Sequence, residues 1–325
     1  MNQESLLVRP LFDGPIDIVG DVHGEIEALN DLLGHLGYAN DGQHSEGRRL
    51  VFLGDLTDRG PDSPAVVERV KSLMDAGRAQ CVLGNHELNI LLKDKKHDNH
   101  WFFGEEWSLA GKGEPITPAV LADEETRQQL LAFFSTLPLA LEREDVRVVH
   151  ACWDAPMIDL ARKATDTIAL LNHHGALIDA DLEKSPSALE CDDDPQKRET
   201  MRHLQRQNRN PVKVLCSGKE LPTQTPFWAS GKLRYEERIK WWQDYGPGNP
   251  LCVFGHYGIH RDKRAPTDFA GQALCADFAV VKRWQERAAT DFTGNFRGCL
   301  GAVRLPERTI VFDNGEIESL PKVVS

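Results

Sequence analysis

Short apolar stretches alternate with amphipathic ones along the N-terminal part of the chain. Three apolar stretches end in a glycine, at Ile16 to Gly20, Leu50 to Gly54 and Cys81 to Gly84. A helical spacing of apolar residues follows each of them, over about Glu25 to Leu36, about Ser63 to Met74, and from near Glu87. Apolar strands that alternate with helices are typical of a parallel or mixed sheet covered on both faces. The pattern therefore predicts the α/β fold class.

Further strands are predicted in the second half of the chain. Val146 to His150 and Leu251 to His256 have the same apolar character and end in histidine, and Ala302 to Glu316 predicts two strands joined by a turn that close a second sheet. Between them, Ala155 to Tyr245 is polar and rich in charge, which predicts an inserted, mostly helical cap. Within this cap the acidic run Glu190 to Pro195 predicts a solvated loop.

Length and composition fit one folded domain. We expect a single domain over residues 1–325, within which residues 155–245 form the inserted cap. Hydrophobic residues make up 41% and charged residues 27% of the chain, which is ordinary for a globular protein. No apolar stretch approaches the ~20 residues that span a bilayer, and the N-terminus does not resemble a signal peptide. These observations predict a cytoplasmic protein without a membrane partner.

Net charge and cysteine content bear on nucleic-acid binding and on disulfide bonds. The net charge of -12 repels polyanions, so extended nucleic-acid binding is not expected. The seven cysteines are widely spread, odd in number and without a C-x-x-C pair. This usage predicts buried free thiols rather than a disulfide framework.

Side chains that bind metals follow five of the predicted strands. In chain order they are Asp21 and His23 in GDVHG, Asp55 in GDLTDRG, Asn85 in GNHE, and the strand-ending His150 and His256. Sheets of this kind place ligands at the carboxyl ends of their strands, where these residues would meet. If the backbone stays extended after the first strand, Asp21 and His23 project from the same side.

This set predicts two adjoining cation sites. One site consists of Asp21, His23 and Asp55, and the other of Asp55, Asn85, His150 and His256. Carboxylate, amide and imidazole ligands suit manganese, iron or zinc, and we expect manganese first. Two such ions ~3.5 to 4 Å apart hold phosphate oxygens and lower the pKa of a shared water. The residues therefore predict hydrolysis of phosphate esters.

The same motifs carry a family resemblance. GDVHG, GDLTDRG, GNHE, VVHACW and VFGHY resemble, in order and spacing, the calcineurin-like metallophosphoesterases, and the DRG and GNHE forms resemble their phosphoprotein phosphatase branch. GDLTDRGPDSP, NPVKVLCSGKE, VFGHY and CADFAV are similar to bacterial sequences, namely the phosphatase module of polynucleotide kinase-phosphatases and diadenosine tetraphosphate hydrolases. Over most of Ile16 to Glu316, the resemblance implies a four-layer αββα sandwich of two mixed sheets with flanking helices.

The resemblance also implies catalytic roles. His86 of GNHE would protonate the leaving oxygen, paired with Asp58 of DRG, and Arg59 of DRG would hold phosphate oxygens. The chemistry supports these roles, because a developing alkoxide needs a proton donor and an arginine presents a fixed fork of donors to a phosphate.

Substrate-binding residues are less closely defined. His260 does not continue a G-H-x-H motif after His256, so we place it outside the metal shell as a substrate contact. The branch uses a second phosphate-binding arginine, for which the candidates are Arg202, Arg206, Arg209, Arg234 and Arg238. Of the basic residues, Arg234 and Lys213 are predicted to bind substrate. The basic residues around them form either a solvated surface or an electrostatic funnel.

Aromatic residues leave two interpretations open. Some could either stack a base or pack within the cap, namely Trp228, Trp241 and Trp242. Others could form either part of a substrate lid or a solvated helix end with an aromatic anchor, namely His97, His100 and Trp101.

Several functions fit these residues. The intact DRG and GNHE motifs favour a phosphatase acting on phosphate monoesters, including phosphoprotein Ser/Thr. The alternatives are a diadenosine tetraphosphate hydrolase or a phosphatase of nucleotide or nucleic-acid ends, although symmetric hydrolases often lose the aspartate kept here as Asp58. A binding protein without activity would have lost a ligand or His86. The expected partners are thus a phosphorylated small molecule, a nucleotide or a phosphoprotein.

Overall fold

The computed structural model describes residues 6–96, 99–104, 119–184, 195–229, 232–261, 272–289 and 292–320. The strands are β1 (Val8–Pro10), β2 (Ile16–Val19), β3 (Arg49–Phe52), β4 (Ala79–Cys81), β5 (Ala140–Glu142), β6 (Val146–Val149), β7 (Glu220–Ala229), β8 (Lys232–Arg238), β9 (Leu251–Phe254), β10 (Ala273–Cys275), β11 (Gly301–Leu305), β12 (Thr309–Phe312) and β13 (Ile317–Ser319). The helices are α1 (Ile26–Leu36), α2 (Ser63–Asp75), α3 (Asn85–Leu91), α4 (His100–Phe103), α5 (Glu124–Ser135), α6 (Ala155–Ala161), α7 (Thr167–Lys184), α8 (Pro195–Asn208), α9 (Pro211–Ser217) and α10 (Arg283–Ala288).

Two large sheets carry these elements. The six-stranded sheet has the order β13-β12-β11-β2-β3-β4, and the five-stranded sheet has the order β1-β5-β6-β9-β10. Each sheet contains both parallel and antiparallel pairs, because β2, β3 and β4 run parallel while β11 runs antiparallel to β2, and β6 runs parallel to β9 but antiparallel to β5. This confirms the predicted α/β class with two mixed sheets and flanking helices.

The sheets pack face to face, with helices on their outer faces. Val51 of β3 and Val253 of β9 belong to one buried cluster that draws on both sheets. Their neighbours Phe52 and Phe254 point the other way, into the cluster that the helices cover. Because successive residues of a strand face opposite sides, both faces of these strands are buried. The unbroken apolar stretches in the sequence follow from this double burial.

The predicted closure of a second sheet by the C-terminal strands is wrong. β11 pairs with β2 through Ala302 and Val19, so β11 and β12 extend the first sheet. A third strand, β13, then pairs with β12. A strand pattern records which residues face the core, but pairing is made by backbone groups that every residue carries. The sequence pattern therefore could not identify the partner strand.

The connection between the parallel neighbours β6 and β9 contains the region predicted as a cap. Helices α6, α7, α8 and α9 are followed by β7 and β8, an antiparallel hairpin that forms its own two-stranded sheet. The hairpin was not anticipated, because its residues are largely exposed and show no buried face. Pro195 of the acidic run begins α8, and residues 190–194 lie outside the described residues. That the whole of residues 155–245 acts as one cap stays a prediction.

The cysteine prediction is confirmed for the described chain. Six cysteines are free and buried there, and Cys191 lies outside the described residues. No helix within the described ranges is both long enough and apolar enough to cross a bilayer.

Candidate functional site

Several predicted site residues have a backbone conformation that residues other than glycine rarely adopt. Positive φ angles occur at His23 (48°), Asp55 (47°), Asp58 (73°), Arg59 (69°) and His256 (71°). Such conformations cost free energy and persist where the surrounding structure enforces them, often at functional sites. The loops after the strands therefore hold these residues in strained backbone conformations that orient their side chains.

The predicted extended course from Asp21 to His23 is wrong. The chain turns at His23, and the N–H groups of Val22 and His23 both donate to the carbonyl oxygen of Asp55, at 3.0 and 2.9 Å. Backbone hydrogen bonds thus join the first loop to the second. His23 reaches the site through this turn and not through strand alternation.

Asp55 lies at the centre of the predicted ligands. Its Oδ2 lies 3.9 Å from Nε2 of His23, 3.7 Å from Nε2 of His86 and 3.4 Å from Nε2 of His150. All four side chains are buried. One carboxylate oxygen therefore faces three imidazole rings.

Asn85 and His256 complete a second group on the other side of His150. Oδ1 of Asn85 lies 3.2 Å from Nε2 of His150 and 2.7 Å from Nδ1 of His256. Possible ligand atoms of Asp55, His150 and His256 lie within 4.8 Å of one another, as do those of Asp55, His23 and His86. The structure thus brings His23, Asp55, Asn85, His150 and His256 into two groups that share Asp55, and Asp21 belongs to neither group. His86, predicted only as an acid, belongs to the first group.

Asp21, in the first loop, contacts the backbone of His256. Its Oδ2 accepts a hydrogen bond from the N–H of His256 at 2.9 Å, and its buried Oδ1 has no donor among the described residues. A side chain at Gly255 would collide with Oδ1, so this close approach requires glycine. Burial first, and then the neighbouring Asp277, raise the pKa of Asp21 well above its usual range.

Asp277 is a buried carboxylate that the sequence analysis missed. Its two oxygens accept hydrogen bonds from the N–H groups of Gly258, at 2.6 Å, and Ala279, at 2.9 Å. It comes two positions after β10, which lies next to β9 in the sheet. The rule that identified Asp55, a polar residue just beyond a strand, would also have identified Asp277.

Backbone carbonyls set the orientation of two imidazoles. Nδ1 of His23 lies 3.0 Å from the carbonyl oxygen of Thr57, and Nδ1 of His150 lies 2.7 Å from that of Leu53. A carbonyl oxygen only accepts, so in the neutral ring Nδ1 carries the proton and Nε2 presents its lone pair toward Asp55. Metal-binding histidines are commonly held in this way.

The electrostatics of the imidazoles follow from burial and their neighbours. Burial, followed by the proximity of His86, lowers the pKa of His23 to about 4. Burial, followed by the charge of Arg238, lowers the pKa of His256 well below its usual range. Burial acts in the same direction on His150, but the Asp55 carboxylate outweighs it and raises the pKa. His23 and His256 are therefore neutral at pH 7 and able to act as ligands.

Glu87, the residue after His86, supports the loop that presents Asp55. Its carboxylate accepts hydrogen bonds from the N–H groups of Asp55, Leu56 and Gly84 at 2.9, 2.8 and 3.2 Å, and from the hydroxyl of Thr57 at 3.1 Å. Burial, and next the charge of Asp55, raise the pKa of Glu87 to about 7. The raised pKa of Glu87 thus reflects its burial close to the negatively charged carboxylate of Asp55.

These residues fit divalent cations. The Asp21 and Glu87 carboxylates are buried near Asp55, and Nε2 of His256 is buried without a hydrogen-bond partner among the described residues. Buried polar atoms without partners and adjacent like charges both cost free energy, which a bound cation offsets. Oxygen and imidazole ligands suit manganese, iron or zinc.

Asp58 and His86 are in contact, as predicted. Nδ1 of His86 lies 2.6 Å from Oδ2 of Asp58, and the N–H of Asp58 donates to the hydroxyl of Ser63 at 2.9 Å. The other carboxylate oxygen, Oδ1, accepts a hydrogen bond from Nε1 of Trp101 at 2.7 Å. Nε2 of His86 is thereby directed toward Asp55.

Two arginines adjoin the two ligand groups. After burial and His86, the charge of Arg59 also contributes to the lowered pKa of His23. Nη1 of Arg238 donates to the carbonyl oxygen of His256 at 3.1 Å, and its guanidinium lies 5.7 Å from the ring centroid of Tyr257. Arg238 therefore contacts His256 of the second group, and the charge of Arg59 acts on His23 of the first group.

The other predicted substrate residues lie elsewhere. Arg234 pairs with Glu236 at 3.3 Å, and the remaining arginine candidates, Arg202, Arg206 and Arg209, pair with acidic residues of the cap. Lys213 lines a cavity of about 370 Å³ between helices of the cap, where burial lowers its pKa. Nδ1 of His260 is buried without a partner among the described residues. Neither Lys213 nor His260 belongs to the two ligand groups.

The tryptophans of the cap differ in exposure. Trp241 and Trp242 are buried, and Nε1 of Trp241 donates to the carbonyl oxygen of Ala151 at 2.8 Å. Their role is therefore packing. Trp228 on β7 is 73% exposed and stays a candidate for stacking a base.

Comparison with known proteins extends these observations. The calcineurin-like phosphoesterase family model matches residues 14–220. An asymmetrical bis(5'-nucleosyl)-tetraphosphatase PrpE of Oceanobacillus iheyensis is 51% identical over 74 residues, which are 22% of this chain and 30% of that protein. The PrpE of Bacillus velezensis is 36% identical over 140 residues, which are 42% of this chain and 55% of that protein. This chain thus spans between 30% and 55% of the length of these relatives.

One further relative and one solved structure are similar. A symmetrical bis(5'-nucleosyl)-tetraphosphatase of Vibrio parahaemolyticus is 33% identical over 139 residues, covering 41% of this chain and 43% of that protein. The structure of a cold-active protein-tyrosine phosphatase of a psychrophilic Shewanella species is 17% identical, covers 99% of this chain and 85% of that chain, and has a TM-score of 0.48.

Proposed function

This chain belongs to the calcineurin-like phosphoesterase family and is a hydrolase, and from that premise we propose that its substrates are nucleoside polyphosphates of the bis(5'-nucleosyl)-tetraphosphate class. The observation that carries the proposal is the gathering of His23, His86, His150 and His256 around Asp55 and Asn85. The similarity to bis(5'-nucleosyl)-tetraphosphatases supports this choice of substrate.

The site would hold two divalent ions that share Asp55. Asp21 and His23 would be ligands of one ion, and Asn85, His150 and His256 would be ligands of the other. We propose manganese, with iron or zinc as alternatives, because the ligands are oxygen and imidazole without thiolate. When bound, such ions neutralise phosphate charge and lower the pKa of a water near the phosphorus.

His86 would deliver a proton to the leaving oxygen. Its Nδ1 is engaged by Asp58, so the ring is held with Nε2 toward the centre of the site. A proton on Nε2 is then within reach of an oxygen that leaves the phosphorus there. The proton would be regained from solvent after product release.

Arg59 and Arg238 would bind phosphate oxygens. A guanidinium offers two parallel donors to a phosphate, which gives orientation as well as affinity. Arg238 contacts the backbone of His256 in one ligand group, and the charge of Arg59 acts on His23 in the other, which suits a substrate with several phosphates. Local positive charge is needed, because the whole chain carries a net charge of -12.

The Asp58–His86 contact favours a second candidate, a phosphatase of monoesters such as phosphoprotein Ser/Thr or nucleotides. An alkoxide is a poor leaving group and needs a proton donor, whereas the phosphate that leaves a polyphosphate is stable as an anion. A general acid is therefore of greater use to a monoesterase. The two candidates differ in product, which makes them separable.

The test is product analysis with manganese-loaded protein. We would supply diadenosine tetraphosphate, a nucleoside monophosphate and a phosphopeptide, and separate the products by chromatography. Cleavage of the tetraphosphate with the highest kcat/KM is expected, and the products, two diphosphates or a triphosphate and a monophosphate, would give the position of cleavage. Preference for a monoester would replace the proposal with the second candidate.

A matched pair of variants tests the site itself. Asp55→Asn keeps the shape of the side chain and removes its charge, so activity on every substrate should be lost. Asp41→Asn makes the same change at an exposed residue and should leave activity unchanged. If the unaltered protein released no product from any of these substrates, both candidate functions would be contradicted.

A further inference from the structure

We infer that Trp101 is a positioning residue for the Asp58–His86 pair, an inference that rests on the proposed function. Nε1 of Trp101 donates to Oδ1 of Asp58 at 2.7 Å, while Oδ2 of the same carboxylate contacts His86 at 2.6 Å. Trp101 and Asp58 are both 0% exposed, so water does not compete for these contacts. The three side chains form one continuous chain of hydrogen bonds.

The direction of the first hydrogen bond is unambiguous. An indole N–H only donates, so Oδ1 of Asp58 must accept and Oδ2 is left for the N–H of His86. With a donor on each oxygen the carboxylate cannot rotate about its last bond. Without Trp101, Oδ1 of Asp58 would lose this hydrogen bond, and the orientation of the carboxylate toward His86 would be less constrained.

The backbone at Asp58 increases the need for this support. Its φ of 73° is a conformation that the surrounding structure must enforce, and the Ser63 hydroxyl accepts its N–H at 2.9 Å. Ser63 holds the backbone of Asp58, and Trp101 holds its side chain. Removing either support leaves a strained residue with fewer constraints.

Trp101 is itself held by its neighbours. Its ring packs edge to face against Phe102 at 5.8 Å between centroids, and its carbonyl oxygen accepts the N–H of Ala122 at 2.9 Å. The N–H of Val120 donates to the carbonyl oxygen of Pro61, just after the DRG motif. Of the two interpretations of this segment, these contacts support a buried anchor rather than a lid at Trp101, and His97 lies outside the described residues.

The central experiment is a double-mutant cycle. Trp101→Phe keeps the ring and removes the donor, and kcat for a substrate with a poor leaving group should fall about tenfold to a hundredfold. KM should stay unchanged, because Trp101 is buried and contacts Asp58 rather than the substrate. In a His86→Ala background the same substitution should have little further effect, since its role passes through His86.

Phe102→Leu is the matched control. It changes a buried aromatic residue of the same helix that packs on Trp101 but is not bonded to Asp58. It should lower stability without a selective loss of kcat. An equal loss from Trp101→Phe with and without His86 would mean that Trp101 acts only through packing, and would overturn the inference.

A second measurement does not need a bound metal or turnover. In metal-free protein labelled at tryptophan, Asp58→Ala should shift the indole N–H resonance of Trp101 more than those of the other six of the seven tryptophans. An unmoved resonance would overturn the inference even if Trp101→Phe did not fold. Failure of the proposed function is distinct, because then the unaltered protein would hydrolyse no phosphate ester while this resonance still shifted.

Discussion

The N–H of Asp55 donates to Oε2 of Glu87 at 2.9 Å, so the residue that follows His86 also holds the loop that presents the central carboxylate. Two segments that supply different site residues are thereby joined by a side chain that is itself no ligand. Groups of this kind orient ligands, and replacing them typically lowers metal affinity roughly ten- to hundredfold.

Glu87→Gln should weaken this connection. Both carboxylate oxygens accept hydrogen bonds, and an amide would place an N–H against one of the donors. We expect a loss of about 1 to 3 kcal/mol in the free energy of unfolding and a roughly ten- to hundredfold loss of manganese affinity. Denaturant unfolding and calorimetric metal titration would measure both. Glu68→Gln, at an exposed helical position, is the control, and equal behaviour of the two variants would contradict the assignment.

His86→Ala should discriminate between leaving groups. If Nε2 donates the proton, kcat for an alkyl phosphate should fall about 10² to 10⁴-fold, and kcat for an activated aryl phosphate much less. A series of phosphate esters with leaving groups of different pKa would measure this slope, with His173→Ala at an exposed position as control. Equal losses across the series would indicate that His86 serves as a metal ligand instead.

Arg238→Ala should weaken substrate binding more than Arg234→Ala does. Arg238 contacts the backbone of His256, whereas Arg234, on the same strand, pairs with Glu236. Loss of a charged hydrogen bond to phosphate of about 1.5 to 3 kcal/mol lowers kcat/KM about ten- to hundredfold. Steady-state kinetics with both variants would measure the difference. A larger loss of kcat/KM in Arg234→Ala than in Arg238→Ala would indicate that Arg234 binds the phosphate instead.

Asp123→Ala should reduce stability in a pH-dependent way. The Asp123 side chain accepts the N–H of Thr126 at the start of α5, and this hydrogen bond lowers the pKa of the carboxyl group. A lowered pKa contributes stability above the unfolded value of about 3.9, and this contribution is lost as the pH falls through the folded value. The difference in melting temperature between the two proteins should therefore be present at neutral pH and shrink below about pH 4. Glu144→Ala, at an exposed loop position, should show no such trend.

The part of the site that could be predicted from sequence is the part that follows strands. Asp55 comes soon after β3 and His150 immediately after β6, and an apolar stretch that ends in a polar residue is visible without a structure. The turn at His23 was not visible, because positive φ at a residue other than glycine depends on hydrogen bonds from another loop. The pattern therefore predicted residues that the structure brings close together, but not the backbone path to them.

Contacts between distant segments account for most of what was missed. Trp101 and Asp58 are 43 residues apart, and only the packing of α4 brings them together. The role of Arg238 depends on where the hairpin of β7 and β8 ends, and that hairpin has no buried face to reveal it. Neither relationship is recorded in a local pattern of apolar and polar residues.

The site draws its residues from both sheets, and this has a consequence for how the protein is made. His23 and Asp55 belong to loops of the six-stranded sheet, and His256 follows a strand of the five-stranded sheet. Asp21 and His256, which share a hydrogen bond, are 235 residues apart. During synthesis the early loops leave the ribosome long before His256 does, so the second ligand group is completed only when most of the chain has emerged. Cation binding would then stabilise a fold that has already formed, and would not initiate folding.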